Sequence, residues 1–209
     1  MITSTLQEYI EQYIIPRYTT FDKAHNLSHV QAVIERSLSL ARQYNANTDM
    51  AYTIAAYHDL GLCKGRELHH IVSGEILTAD KALQQWFSTE QILTMREAVE
   101  DHRASSQHAP RSIYGCIVAE ADRQIDPDTT LRRTVQYGLK HLETNDRETH
   151  YQRFCDHLQE KYAEGGYLQI WLPESDNAQR LQQLRNVIAN KTLLRQSFDK
   201  IFDEEITNS

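Results

Sequence analysis

Glycine and proline are scarce in this chain, at 7 and 4 of 209 residues. Turn-rich β-architectures draw on both, so the shortage disfavours them and favours long helices. All-α is the expected fold class. Cysteine is also rare: Cys63, Cys116 and Cys155 are odd in number and widely spaced. They fit neither a disulfide framework nor a CxxC metal site, and read as reduced thiols. No apolar run approaches the roughly 20 residues that span a bilayer. The opening stretch MITSTLQEYIEQYII carries two Glu before any basic residue, unlike a secretory leader. The expected location is the cytoplasm. Blocks of Lys or Arg are missing too, and the formal charge is −7. That removes the electrostatic footprint of a nucleic-acid duplex or an anionic membrane surface. A small anionic substrate stays compatible, because a local cationic site acts at contact distance.

What is present is a globular composition, 40% hydrophobic and 24% charged, which argues against disorder. The length suits one domain with a single core, 1–209. Apolar spacing predicts helices at 4–15, ended by Pro16, and at about 27–44, where Asn26-Leu27-Ser28 offers caps. A third runs from Thr48-Asp49 through AYTIAAYHDLG, with His58 and Asp59 in its last turn and Gly61 placed as a C-terminal cap. Further helices are expected at 67–87, 89–103, 112–124, 129–143 (capped by Asp128), 147–163, 176–190 and 191–205. The segment 167–173, YLQIWLP, reads as either a short strand or a buried loop.

Position singles out a few of the ten histidines. His58-Asp59 ends an apolar helix, where a carboxylate meets the negative end of the helix dipole. A nearby cation removes that penalty. Adjacent helical residues diverge by about 100°, so other helices must supply further ligands. Asp122 follows the apolar run IVAEA at a core edge, and His29 is flanked by Leu27 and Val30. Taken alone, each has an ordinary alternative: a core-edge histidine, or an aspartate paired with Arg123.

Together they form the order H…HD…D, with gaps of 29 and 63 residues. The blocks NLSHVQAVIERSL, IAAYHDLGLCKG and IVAEADRQID resemble the HD superfamily of metal-dependent phosphohydrolases over about residues 20–126. The resemblance implies an HD-domain-like helical bundle, with the helices of about 127–209 as a C-terminal extension. It also implies a metal held by His29, His58, Asp59 and Asp122. Two imidazoles and two carboxylates suit Mn²⁺, Fe²⁺, Co²⁺, Ni²⁺ or Mg²⁺ more than a closed thiolate zinc site. A divalent ion acidifies water and screens charge on a phosphoryl group.

ELHHIVSGEIL and EAVEDHR resemble the added histidine elements of the dinuclear branch, which includes diadenosine-tetraphosphate hydrolases. His70 and His102 would then hold a second ion, with Asp59 bridging. Alternatively they line the pocket as catalytic or substrate-contacting groups. His69 is the alternative to His70. His25, His108, His141, His150 and His157 read as surface or loop residues. Lys64, Arg66, Arg103, Arg111 and Arg123 are the cations available to a substrate phosphate. Tyr57, Tyr114 and Trp171 read as core aromatics before base-stacking ones.

The function expected is hydrolysis of a phosphoester or phosphoanhydride in a nucleotide or related small phosphate compound. The competing class is a metal-binding regulatory or ligand-binding module without turnover.

Overall fold

A computed structural model describes residues 2–21, 25–104, 106, 108–123, 125–144 and 146–207. Among these the chain is all helical, with no strand. It divides into two compact units, Met1–Arg123 and Gln124–Ser209.

The first unit holds α1 (Ser4–Tyr13), α2 (Leu27–Gln43), α3 (Thr48–Tyr57), α4 (His69–Ala79), α5 (Thr89–Asp101) and α6 (Ile113–Asp122). Short 3-10 stretches at Ile15–Thr20, Leu60–Lys64 and Lys81–Gln85 fill three of the connections. Caps follow sequence chemistry. Asn26 accepts from the backbone of Ser28 and His29, and Asn47 from that of Asp49 and Met50. Ser88 and Gln91 form a reciprocal capping box. Each such cap contributes about 1 kcal/mol.

α3 is the axis of this unit. Every residue from Met50 to Tyr57 is buried, as expected of a helix that is apolar on all sides. It packs against α2, α5 and α6, so whatever follows Tyr57 emerges inside the core. α3 stops at Tyr57, and His58 is its C-terminal cap residue. The expected last turn bearing both His58 and Asp59 is therefore cut short, with Asp59 opening the next 3-10 stretch.

Gly61 does not act as a left-handed cap, for only Gly65 and Gly165 among the glycines have positive φ. Its requirement is space: a Cβ there would lie 2.0 Å from the His69 carbonyl oxygen and 2.6 Å from the Ser73 amide nitrogen. The first turn of α4 rests on this glycine, and the Gly61 N–H donates to Ser73 Oγ at 2.8 Å.

The helix expected over 67–87 is interrupted at Asp80. Its carboxylate caps the next 3-10 stretch by accepting from the Ala82 N–H. It also accepts from the hydroxyls of Tyr9 (2.7 Å) and Tyr57 (2.5 Å). Local polar chemistry thus overrides a continuous helical pattern, and Tyr57 is tied down one residue before His58.

The second unit consists of α7 (Pro127–His141), α8 (Arg147–Lys161), α9 (Asp176–Ala189) and α10 (Lys191–Thr207). α7 is capped by Asp126, two residues before the expected Asp128, because Pro127 suits the first helical position. Phe154, Leu158, Leu184, Phe198 and Phe202 anchor its core. His150 is buried there, its Nε2 2.8 Å from the Thr144 carbonyl oxygen and its ring against Phe202. That corrects its reading as a surface residue. The segment 167–173 forms no strand, and it buries Leu168 and Leu172 as irregular chain.

Candidate metal centre

Three elements of the first unit deliver four side chains to one point. α2 brings His29 in its first turn, the end of α3 brings His58 and Asp59, and the end of α6 brings Asp122. His29 Nε2 lies 3.2 Å from His58 Nε2, 3.5 Å from Asp59 Oδ2 and 3.2 Å from Asp122 Oδ1. His58 Nε2 lies 3.2 Å from Asp59 Oδ2 and 3.7 Å from Asp122 Oδ1. Donor atoms around an ion with bonds near 2.1 Å stand about 3.0 to 3.4 Å apart in octahedral or tetrahedral geometry. Three of the five separations, each 3.2 Å, fall in that range, and the other two, 3.5 and 3.7 Å, lie just above it.

The other oxygen of Asp59 faces a second group. Asp59 Oδ1 is 3.5 Å from His69 Nε2 and 3.5 Å from His102 Nε2, and those two nitrogens are 3.1 Å apart. His29, His58 and Asp59, and likewise Asp59, His69 and His102, each offer ligand atoms within 4.8 Å of one another. Both groups can hold a metal ion.

Tautomers strengthen this fit. His58 Nδ1 lies 2.7 Å from the Ala55 carbonyl oxygen, His69 Nδ1 2.7 Å from that of Arg66, and His102 Nδ1 2.5 Å from that of Val99. A carbonyl only accepts, so each ring donates from Nδ1 and turns an Nε2 lone pair toward the cluster. Converging lone pairs and a shared carboxylate repel one another unless a cation, or a proton, stands between them.

His29 shows the proton case. Burial, the largest single influence, lowers its pKa, but hydrogen bonds to Asp122 and Asp59 outweigh it and push the value up to about 9. Asp59 is held far below the usual carboxylate range: burial opposes this, and the imidazoles of His58, His102 and His29 around it overcome it.

His70, the residue first chosen from spacing, is not brought to this cluster; its neighbour His69 is. His70 is half-buried on α4, and its Nδ1 is enclosed without a hydrogen-bond partner. Burial, then His102 and His69, push it down to about 4, so it is neutral at physiological pH. Consecutive helical residues point about 100° apart, and only one of the pair can face Asp59. With Mn²⁺ in excess, we expect His69→Ala to bind one ion fewer than the parent and His70→Ala to match it. The reverse pattern in metal counting would transfer the second group to His70.

The expected phosphate-binding cations fare unequally. Arg111 is committed to acidic neighbours: its Nε and Nη2 lie 3.0 and 2.9 Å from Asp101 Oδ1, and Nη2 lies 2.9 Å from Glu100 Oε2. It anchors the end of the 102–111 segment to α5. Arg123 is buried as the residue ending α6, and Arg103 donates to the Glu67 carbonyl at 2.6 Å. Lys64 and Arg66 are exposed.

Two supporting residues had no signal in the sequence. Tyr18 is fully buried, donates to the Ala56 carbonyl at 3.0 Å and accepts from the Asp59 N–H at 3.3 Å, bracing the His58-Asp59 turn. Arg36 donates to the Ala121 carbonyl at 2.6 Å, fixing the chain just before Asp122. A lone tyrosine after a proline and a lone arginine on a polar helix face carry no motif that foretells these roles.

The family model of the HD domain matches residues 26–124. A predicted HD superfamily hydrolase from an uncultured Thermotogales bacterium, known from its crystal structure, shares 20% identity with this chain. The match covers 74% of this chain and 87% of that one, at a TM-score of 0.50. At that identity the likeness shows the fold. No curated protein matches. The H…HD…D residues thus converge inside the segment that the HD-domain model matches, residues 26–124.

Proposed function

We propose that this chain hydrolyses a phosphoester or phosphoanhydride in a nucleotide or related small phosphate compound, using one or two divalent cations such as Mn²⁺, Fe²⁺, Co²⁺, Ni²⁺ or Mg²⁺. The observation that carries this reading is the Asp59 carboxylate, which turns one oxygen to His29 and His58 and the other to His69 and His102. When bound, such cations supply Lewis acidity, which makes water a better nucleophile and neutralises charge gathering on a phosphoryl group.

The chain's own residues orient and shield. His58, Asp59 and His102 are buried, so three of the donors work in a medium that strengthens their electrostatics. The side chains of His29 and Asp122 keep 20% and 28% of their surface open, which leaves a side from which a substrate can approach. The carbonyls of Ala55, Arg66 and Val99 hold His58, His69 and His102 in one tautomer, so little reorganisation is needed on binding.

The test is a phosphate-release screen over nucleotides and sugar phosphates with Mn²⁺, Mg²⁺, Co²⁺ and Ni²⁺. Release above the metal-free control supports the proposal, and silence across the panel supports a regulatory or ligand-binding module.

Metal binding should also release a proton. At pH 7.5 His29 is protonated in the metal-free protein, and a coordinating imidazole must be neutral. Calorimetry in buffers of different ionisation enthalpy is expected to report about one proton released per first ion. Affinity should rise with pH and level off near 9. In the metal-free protein the sign is reversed. The raised His29 value gives stability that is complete below 6.5 and lost as pH rises through about 9. A pH-independent affinity between 6.5 and 9 would remove His29 from the binding reaction.

A further inference from the structure

The geometry points to Arg66 as the residue that binds the substrate's phosphate oxygens on the open side of the centre, with His25 as the positioning residue that aims it. The inference deepens the phosphohydrolase reading and rests on it for its substrate.

Arg66 reaches both halves of the cluster. Its backbone carbonyl accepts from His69 Nδ1 at 2.7 Å, beside the Asp59–His69–His102 group. Its guanidinium Nη2 lies 3.3 Å from His25 Nε2. His25 in turn packs edge-on against His29 of the other group, ring centroids 5.8 Å apart at 73°. The guanidinium therefore stands on the side of His29 and Asp122, whose side chains keep 20% and 28% of their surface open, against 16% and 2% for His69 and His102. Gly65, at φ +104°, makes the turn that precedes Arg66, and nothing lies within 4 Å of where its Cβ would be.

The chemistry of the partner matters as much as the position. An arginine only donates, so His25 Nε2 accepts and the imidazole carries its hydrogen on Nδ1. Arg66 is thus steered by an imidazole nitrogen, and among the described residues no carboxylate is within ion-pair distance of it. Arg111 is the contrast, since its fork is neutralised by Asp101 and Glu100. A guanidinium that no carboxylate pairs keeps its charge for an arriving anion, and its planar fork matches two phosphate oxygens. His25, read from the sequence as a surface or loop residue, lies in the bend before α2 and packs against His29 of the candidate centre.

The test uses the full chain loaded with Mn²⁺ and inorganic phosphate as the probe, with phosphate affinity by calorimetry, KM and kcat on any substrate found, and metal content. Arg66→Ala is expected to weaken phosphate binding and raise KM by about 10- to 100-fold, with metal content unchanged. Arg66→Lys should recover only part, because a point charge lacks the fork. His25→Ala should weaken phosphate by about 3- to 10-fold. His25→Gln, which keeps an acceptor, should restore it, and neither change should matter once Arg66 is alanine.

Phosphate affinity within twofold of the parent in Arg66→Ala overturns the assignment. So does a wild-type protein with no millimolar affinity for phosphate, or an Arg66→Ala variant that loses metal yet binds phosphate normally when resaturated. Phosphate binding that depends on Arg66 without turnover on any substrate would leave the clamp standing and sink the hydrolase reading. Turnover indifferent to Arg66 would do the opposite.

Discussion

Asp59→Ala is expected to abolish metal binding at both groups and to lower turnover by about three orders of magnitude or more, the scale of several kcal/mol of lost charge stabilisation. The effect should exceed that of any single histidine change, because one carboxylate serves both sides. His29 and His58 address Oδ2, and His69 and His102 address Oδ1. Folding should survive, since the side chain is only 4% exposed and its removal also removes the cost of burying a charge. His29 and His102, whose pKa values Asp59 helps to raise, can then relax toward neutral forms. Metal counting, circular dichroism and phosphate release, measured on the same preparation, check this. A variant that retains two equivalents of Mn²⁺ would show that Asp59 does not bridge. Asp59→Asn gives the stricter comparison, because it keeps the shape while removing the charge.

Gly61→Ala should be the most damaging small substitution in the first unit. A Cβ 2.0 Å from the His69 carbonyl oxygen and 2.6 Å from the Ser73 nitrogen meets backbone on both contacts, which no side-chain rotation relieves. The first turn of α4 must move, and the Gly61–Ser73 hydrogen bond with it. The expected cost is about 3 kcal/mol, at the upper end of overpacking, read as a lower unfolding midpoint. Because His69 opens α4, the variant should also lose the second ion while keeping the first. Unchanged stability together with full metal content would mean that the α4 contact is not tight. A plain cap-glycine role would predict much less, about 1 kcal/mol and no selective loss of metal.

Much of the fold was legible because it is locally encoded. Asn26, Ser88 and Ser175 begin helices by capping them, and apolar stripes set most of the spans. The failures were places where two local signals competed. Asp80 broke a helix that periodicity ran through, because two tyrosines and a backbone N–H claim its carboxylate. Asp126 with Pro127 outcompeted Asp128 as the start of α7.

By itself the sequence determined the all-helical class, the approximate helix spans and the order H…HD…D, since capping, periodicity and residue spacing are properties of neighbouring positions. Only the tertiary structure placed His69 rather than His70 beside Asp59, turned Gly61 from a cap into a contact surface for α4, committed Arg111 to Asp101 and Glu100, and drew Tyr18, Arg36 and His25 to the centre. The physical reason is separation along the chain. These residues meet partners up to 85 positions away, and which face of a helix meets which partner is settled by packing around α3.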